Sequence, residues 1–243
     1  ISELTVKSVL DGFSGTTRVS QMLSQKGYQV ISNDCAEYSR VFANTFLGNF
    51  QPKDSLIKHF NEILPISGWF TEQYSKLEKS PFQRHVLRRL DAIREELDSI
   101  FPESSLEKDY YLCSLLLALD KVDSTLGHFS SYLREWSKRS YNDLILEVPQ
   151  TIENKQLNEV YQKDIFELLS EIECDLAYFD PPYGSNSKMP SSRVRYDAYY
   201  HFYKTVCLND KPEIFGKARR RKDSSDKIAY SVFEDFRPNL AAD

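Results

Sequence analysis

The chain has 243 residues, of which 41% are hydrophobic and 28% charged, an ordinary composition for a soluble globular protein. The length suits one large domain or one domain carrying an insertion. A net charge of −5 argues against a protein that coats nucleic acid nonspecifically, yet it allows a local basic groove. Apolar runs fall short of the roughly 18–20 residues of a membrane helix, and the N-terminus lacks the basic and apolar regions of a signal peptide. Cys35, Cys113, Cys174 and Cys207 lie far apart, with no Cys-x-x-Cys or His-x-x-x-His spacing. They read as reduced thiols of a cytoplasmic protein, and no metal is expected.

Residues 6–10 read as a first strand that runs into Asp11-Gly12-Phe13-Ser14-Gly15-Thr16-Thr17. A helical pattern follows to about Lys26, with Gly27 as its stop. A glycine turn between strand and helix lets a ligand approach the backbone closely, although such turns also join many strands to helices for no other reason. Residues 28–32 read as a second strand ending at Asn33-Asp34. An acid at that strand end, about 20 residues beyond the glycine turn, suits a ribose-binding carboxylate. The other reading is a helix N-cap, since the helical stretch 36–47 follows. The sequence contains no Gly-x-Gly-x-x-Gly.

From about residue 50 to 150 glycine becomes scarce and helical periodicity takes over, dividing the chain into 1–49 with 151–243, and an insertion of 50–150. Val86, Leu90, Ile93, Leu97 and Ile100 recur at helical spacing, with Arg88, Arg89, Arg94, Glu95 and Glu96 between them. Residues 112–122 read as a buried helix, and Phe129, Tyr132, Leu133 and Trp136 as another apolar stripe. Residues 68–75, Gly-Trp-Phe-Thr-Glu-Gln-Tyr-Ser, suit a DNA-facing loop or a packed one. His59, His85 and His128 are isolated and receive no role, while the aromatics around His201 pack a helix or line a pocket.

Residues 158–163 resume the sheet and end at Asp164-Ile165-Phe166, with a helix to about Ser170. Residues 176–179 read as a buried strand, stopped by Asp180-Pro181-Pro182-Tyr183. Proline lacks an N–H and has a fixed φ, so the pair holds a stiff, extended turn. The Asp180 carboxylate and the Pro181 carbonyl only accept hydrogen bonds, which suits a planar –NH2 group. An aromatic ring beside them offers a face for a nucleobase. Drawing both N–H bonds of a conjugated amine toward fixed acceptors frees its lone pair for attack, a positioning effect.

Asp180-Pro181-Pro182-Tyr183 resembles the catalytic tetrapeptide of amino-group DNA methyltransferases. With Gly184-Ser185-Asn186-Ser187-Lys188-Met189-Pro190 and Arg193-Val194-Arg195-Tyr196, it resembles the D12 class of DNA N6-adenine methyltransferases. The resemblance covers most of residues 9–238 and is strongest at 9–49 and 158–238. It implies an α/β, Rossmann-like S-adenosylmethionine-dependent methyltransferase sheet with a helical insertion that serves target recognition. Asp11, Phe13, Ser14, Gly15, Thr16, Asp34, Asp164 and Ile165 would then bind S-adenosylmethionine, with Asp164 alternatively a helix N-cap. Thr17 stands where the family's Phe-x-Gly-x-Gly has its last glycine.

Asp180, Pro181, Pro182 and Tyr183 would carry catalysis on a flipped adenine, stacked on Tyr183. Lys188, Arg193, Arg195, Lys217, Arg219, Arg220 and Arg221 would contact double-stranded DNA, the last four alternatively being a solvated charged loop. A cognate restriction endonuclease is an implied partner. The family's Gly/Ser/Lys-rich segment is not found before the glycine turn, and the expected sheet has more strands than the four legible here plus residues 228–233. The competing readings are a catalytically silent DNA-binding module on the same scaffold, and an N4-cytosine or RNA methyltransferase.

Overall fold

The structure, a computed structural model, describes residues 5–50, 53–75, 80–151, 153–182 and 196–224. Short β-branched and apolar runs form strands β1 (Ser8–Asp11), β2 (Gln29–Asn33), β3 (Glu159–Tyr161) and β4 (Leu176–Tyr178). Between and after them lie helices α1 (Arg18–Gln25), α2 (Glu37–Leu47), α3 (Asp54–Glu62), α4 (Trp69–Tyr74), α5 (Arg84–Ile100), α6 (Leu106–Val122), α7 (Ile165–Leu169), α8 (Tyr196–Tyr199) and α9 (His201–Leu208). The four strands pair in parallel in the order β3-β2-β1-β4, with Val9 opposite both Val30 and Leu176. Parallel neighbours need crossovers: α1 supplies the one between β1 and β2, α2 and the helices after it the one between β2 and β3, and α7 then carries the chain from β3 to β4 at the other end of the described sheet.

Successive side chains on a strand face opposite ways, and that alternation builds the layers. Val9 and Val30 pack with Leu23 of α1 and with Ala43 and Leu47 of α2 on one face. Leu10 and Ile31 pack with Ile165 and Leu168 of α7 on the other. The chain returns to the sheet through two asparagines. Asn154 accepts from Ser24 Oγ and donates to the carbonyls of Phe46 and Gly48, while Asn158 accepts from the Val30 amide. Asp175 fastens β4 to β1 by accepting from the amides of Lys7 and Ser8 at 2.7 and 2.9 Å. The expected buried strand at 176–179 is only half covered, with Tyr178 39% and Phe179 46% exposed. Within the described sheet β4 is an edge, with β1 its single neighbour.

The segment between β2 and β3 is helical, and its core is continuous with α2 and α9: Val41, Phe42, Leu90, Leu115 and Val206 belong to one cluster. Phe202 of α9 sits at its centre, 5.0–5.7 Å from the rings of Phe70, Tyr74, Phe82 and Phe129. Residues 68–75 are packed, since α4 buries Phe70 and Tyr74 in that core. Arg94 does not stand on a polar face but is 1% exposed, because position 94 lies on the side of α5 that turns Leu90 and Leu97 inward. Its Nη2 donates to both oxygens of Asp98 at 2.9 and 3.1 Å.

The stripe at 129–136 is not a helix. Gly127 turns the chain at φ +88, Thr125 Oγ1 accepts from the Gly127 amide, and Thr125 bridges to Tyr132. Side-chain-to-backbone bonds of this kind compete with helix formation, and Trp136 is left 40% exposed. Residues 228–233 lie outside the described residues. Among those described, no helix is long and apolar enough to cross a membrane.

Candidate active site

Four parallel strands bring their carboxyl ends to one edge, where ligands of such sheets bind. The loops leaving β1, β2, β3 and β4 enclose a cavity of about 340 Å³ there. The glycine turn after β1 contributes Asp11, Phe13, Ser14, Gly15 and Thr16 to its wall. Asp34 comes from the end of β2, Asp164 and Ile165 from the end of β3, and Asp180, Pro181 and Pro182 from the turn after β4. Asp180 is exposed to solvent, not packed away. Tyr183, Lys188, Arg193 and Arg195 lie outside the described residues.

Backbone and side-chain bonds fix the relative positions of these loops. The Gly12 amide donates to the Tyr178 carbonyl at 3.0 Å, and the Ser14 amide to the Asn33 carbonyl at 2.9 Å. Asp34 uses both oxygens: Oδ2 accepts from the Gly15 amide and Oδ1 from the Ala36 amide, each at 2.9 Å. It thereby closes the glycine turn onto β2 and caps the backbone entering α2. Asp164 accepts from the Phe166 amide at 2.9 Å, so it does cap α7 while facing the cavity. Ser20 of α1 donates to Asp11 Oδ2 at 2.6 Å. Burial raises the carboxyls of Asp11 and Asp34 above their ordinary value, against the hydrogen bonds that lower it, and the charges of Asp34 and Asp180 raise Asp11 further.

Two features were missed by reading the sequence. Buried Asn33 donates through Nδ2 to the carbonyls of Gly12 and Lys163 and accepts from the Lys163 amide, joining the loops after β1 and β3. An amide side chain just before a strand-end acid was the available signal. The second is an aromatic wall, in which Tyr200 lies 5.3 Å from Tyr38 and 5.7 Å from Tyr196, all three lining the cavity. Asp197 and Lys204 complete that side, 3.6 Å apart. No local pattern announces this wall, because α2 and α8 are far apart in sequence.

The basic run forms a hairpin of β5 (Ile214–Phe215) and β6 (Arg220–Arg221), paired antiparallel. Arg221 is not a surface cation. It is 3% exposed and engages Asp210 at 2.6 and 2.7 Å and Asp223 at 2.9 Å, since a guanidinium buried here needs carboxylate partners. Arg220 lies over the Phe215 ring at 5.1 Å. Lys217 is exposed, and Arg219 adjoins it in the turn.

The profile of one family, described as D12 class N6 adenine-specific DNA methyltransferase, matches residues 1–235. The chain belongs to that family. It is 30% identical to modification methylase LlaI of Lactococcus lactis subsp. lactis across 93% of its length. It is 31% identical to modification methylase StsI of Streptococcus sanguinis across 85%, and 31% identical to the type II methyltransferase M.FokI of Planomicrobium okeanokoites across 91%. The chain spans 39%, 33% and 36% of the lengths of these three relatives. No solved structure matches the chain. The family's Phe-x-Gly-x-Gly corresponds here to residues 13–17, and its last position, Thr17, adopts φ +63, the left-handed conformation that glycine favours.

Proposed function

We propose that this chain forms the catalytic part of a site-specific DNA methyltransferase that methylates the N6 amino group of a flipped adenine, in a cytoplasmic restriction-modification system with a cognate endonuclease. The observation that carries the reading is that one cavity gathers the glycine turn, Asp34, Asp164 and the acidic proline hook. The cofactor proposed is S-adenosylmethionine, and its residues fit. A cavity of about 340 Å³ walled by Asp11, Asp34 and Asp164 suits a small molecule carrying sulfonium and ammonium cations. Burial holds the Asp11 and Asp34 carboxyls up, Asp11 further through the charges of Asp34 and Asp180, and a cation relieves that. When bound, the cofactor supplies an electrophilic methyl group.

The chain's own residues bind and orient. Gly15 and its neighbours offer close backbone approach, and Ile165 offers an apolar surface. Asp34 and Asp164 keep unused lone pairs beside their backbone bonds and accept from hydroxyl or amino groups. Asp180 and the Pro181 carbonyl accept the two N–H bonds of the target amine, which steers its nitrogen toward tetrahedral geometry and frees the lone pair. Tyr183 provides the stacking face for the base. The segment 50–150 is assigned to target recognition.

Asp180→Ala should lower methyl transfer to DNA by about 10²–10³-fold, in line with losing one aligned electrostatic partner, while calorimetry finds cofactor affinity nearly intact. Digestion of the product and identification of the methylated base should return N6-methyladenine. N4-methylcytosine would remove the adenine assignment, and methylation confined to RNA would remove DNA. DNA binding without any cofactor heat would identify a silent module, and an Asp180→Ala variant with normal turnover would end the mechanism.

A further inference from the structure

The turn between β5 and β6 is held from inside by two phenols of the helical segment. Tyr74 Oη, from α4, donates to the Arg219 carbonyl at 2.9 Å, and Tyr132 Oη donates to the Ala218 carbonyl. Tyr74 is fully buried, packed 5.1 Å from Phe202, so its hydroxyl cannot wander. Burial also pushes both hydroxyls well above their ordinary pKa, which keeps them donors at any working pH. The turn itself needs this support. Gly216 and Arg219 both take positive φ, +70 and +52, and an arginine there is strained. The Arg219 amide closes the turn on the Gly216 carbonyl at 3.2 Å.

The basic residues of this run do two different jobs. Arg221 is a buried strut between Asp210 and Asp223, and Lys222 pairs with Glu213 across the hairpin. Lys217 and Arg219 have no carboxylate partner among the described residues and sit where the pinned carbonyls fix the backbone. Asp223 also links the hairpin to the cavity wall, since it faces Lys204 at 3.7 Å while holding Arg221. A chain of net charge −5 repels a polyanion overall, so a fixed local pair of cations tied to the site matters more than it would on a basic protein.

We propose that the β5–β6 turn is a preorganised phosphate grip for duplex DNA, with Lys217 and Arg219 as its cations and Tyr74 and Tyr132 as the positioning residues that aim it. This rests on the reading of the chain as a DNA methyltransferase. Each cation that neutralises a phosphate adds about 0.9 to the steepness of log K against log salt on duplex DNA.

The test uses the full-length protein and a short duplex of arbitrary sequence, titrated at several salt concentrations. Lys217→Ala with Arg219→Ala should flatten the salt slope by about 2, with thermal stability retained. Tyr132→Phe should weaken binding in the native background and add nothing in the double-alanine background. A role confined to stability would weaken both alike. An unchanged slope in the double variant, with native binding intact, overturns the grip and leaves the methyltransferase reading standing. A flattened slope on duplex RNA alone overturns the DNA assignment. Absence of any duplex binding by the native protein overturns both.

Discussion

Gly12 shows how one missing methyl group sets the site. A Cβ built at Gly12 would meet the Phe179 ring at 2.6 and 2.7 Å and Ile165 Cδ1 at 3.1 Å. Phe179 directly precedes Asp180 and also packs edge-on against Phe13 at 6.2 Å. The close approach therefore sets the distance between the glycine turn and the acidic hook. Phe179 is half exposed and can swing away, so Gly12→Ala should fold with nearly native thermal stability. On the proposed reading, the displaced hook should nevertheless cost about 10- to 100-fold in methyl transfer, the scale of a misplacement near 1 Å. Steady-state rates beside a melting curve check this, and parallel losses of rate and stability would refute it. Thr17 is the companion case. Here a β-branched residue takes the left-handed conformation, φ +63, that glycine favours. Thr17 Oγ1 donates to the Thr16 carbonyl at 2.7 Å and accepts from Gln21 Nε2 at 3.0 Å, which offsets the strain.

At the scale of elements, α4 is a helix because α5 caps it. Asp91 accepts from the Gly68 and Thr71 amides through Oδ2 and from the Phe70 amide through Oδ1, at 2.9–3.0 Å. These are the orphan donors of a helix start, satisfied here by a carboxylate one helix away. Asp91→Ala would strand three amides in the interior. The expected cost is roughly 3 kcal/mol, about 10 °C in Tm for a chain of this size. Calorimetric melting checks it, and a loss under about 1 kcal/mol would show that water or rearrangement replaces the cap. The same two helices explain why residues 68–75 read as a loop. Their six-residue helix is too short to announce itself, and its cap, Asp91, lies 20 to 23 residues beyond the amides it accepts from. Residues 129–136 mislead in the opposite sense, because apolar spacing of three and four also arises in a turn whose polar groups bond locally.

At the scale of the whole molecule, the cavity's far wall carries an electrostatic cost. Burial raises the Asp197 carboxyl from 3.8 to about 6, against the lowering effect of Lys204, with Glu37 and Asp223 adding to the rise. A carboxyl raised in the folded state binds protons more tightly there than when unfolded. Its favourable contribution is therefore complete below about pH 4 and is lost as pH rises through about 6. Asp197→Asn should be more stable than the native protein by about 2–3 kcal/mol near neutral pH, with the difference vanishing at about pH 4. Buried His201, lowered to about 4, runs in the opposite sense, so the variant-minus-native difference is the quantity to plot from chemical denaturation. A difference that grows toward acid would contradict the assignment.

By itself the sequence determined the order of the strands along the chain and the identity of the residues at each strand's carboxyl end, and the resemblance those residues carry implied the α/β sheet. Those features are local: short apolar runs, helical patterns, a glycine turn, and a proline pair that must stop a strand. Parallel pairing then brings Phe13, Asp34, Asp164 and Asp180 to one edge without further instruction. Only the tertiary structure decided that Tyr38 and Tyr200 meet on the opposite wall, that Asn33 joins the loops after β1 and β3, and that Arg221 faces inward while Lys217 faces solvent. Such contacts depend on desolvation and on charges supplied by distant segments. A run of basic residues looks uniform until the fold buries one of them beside two carboxylates.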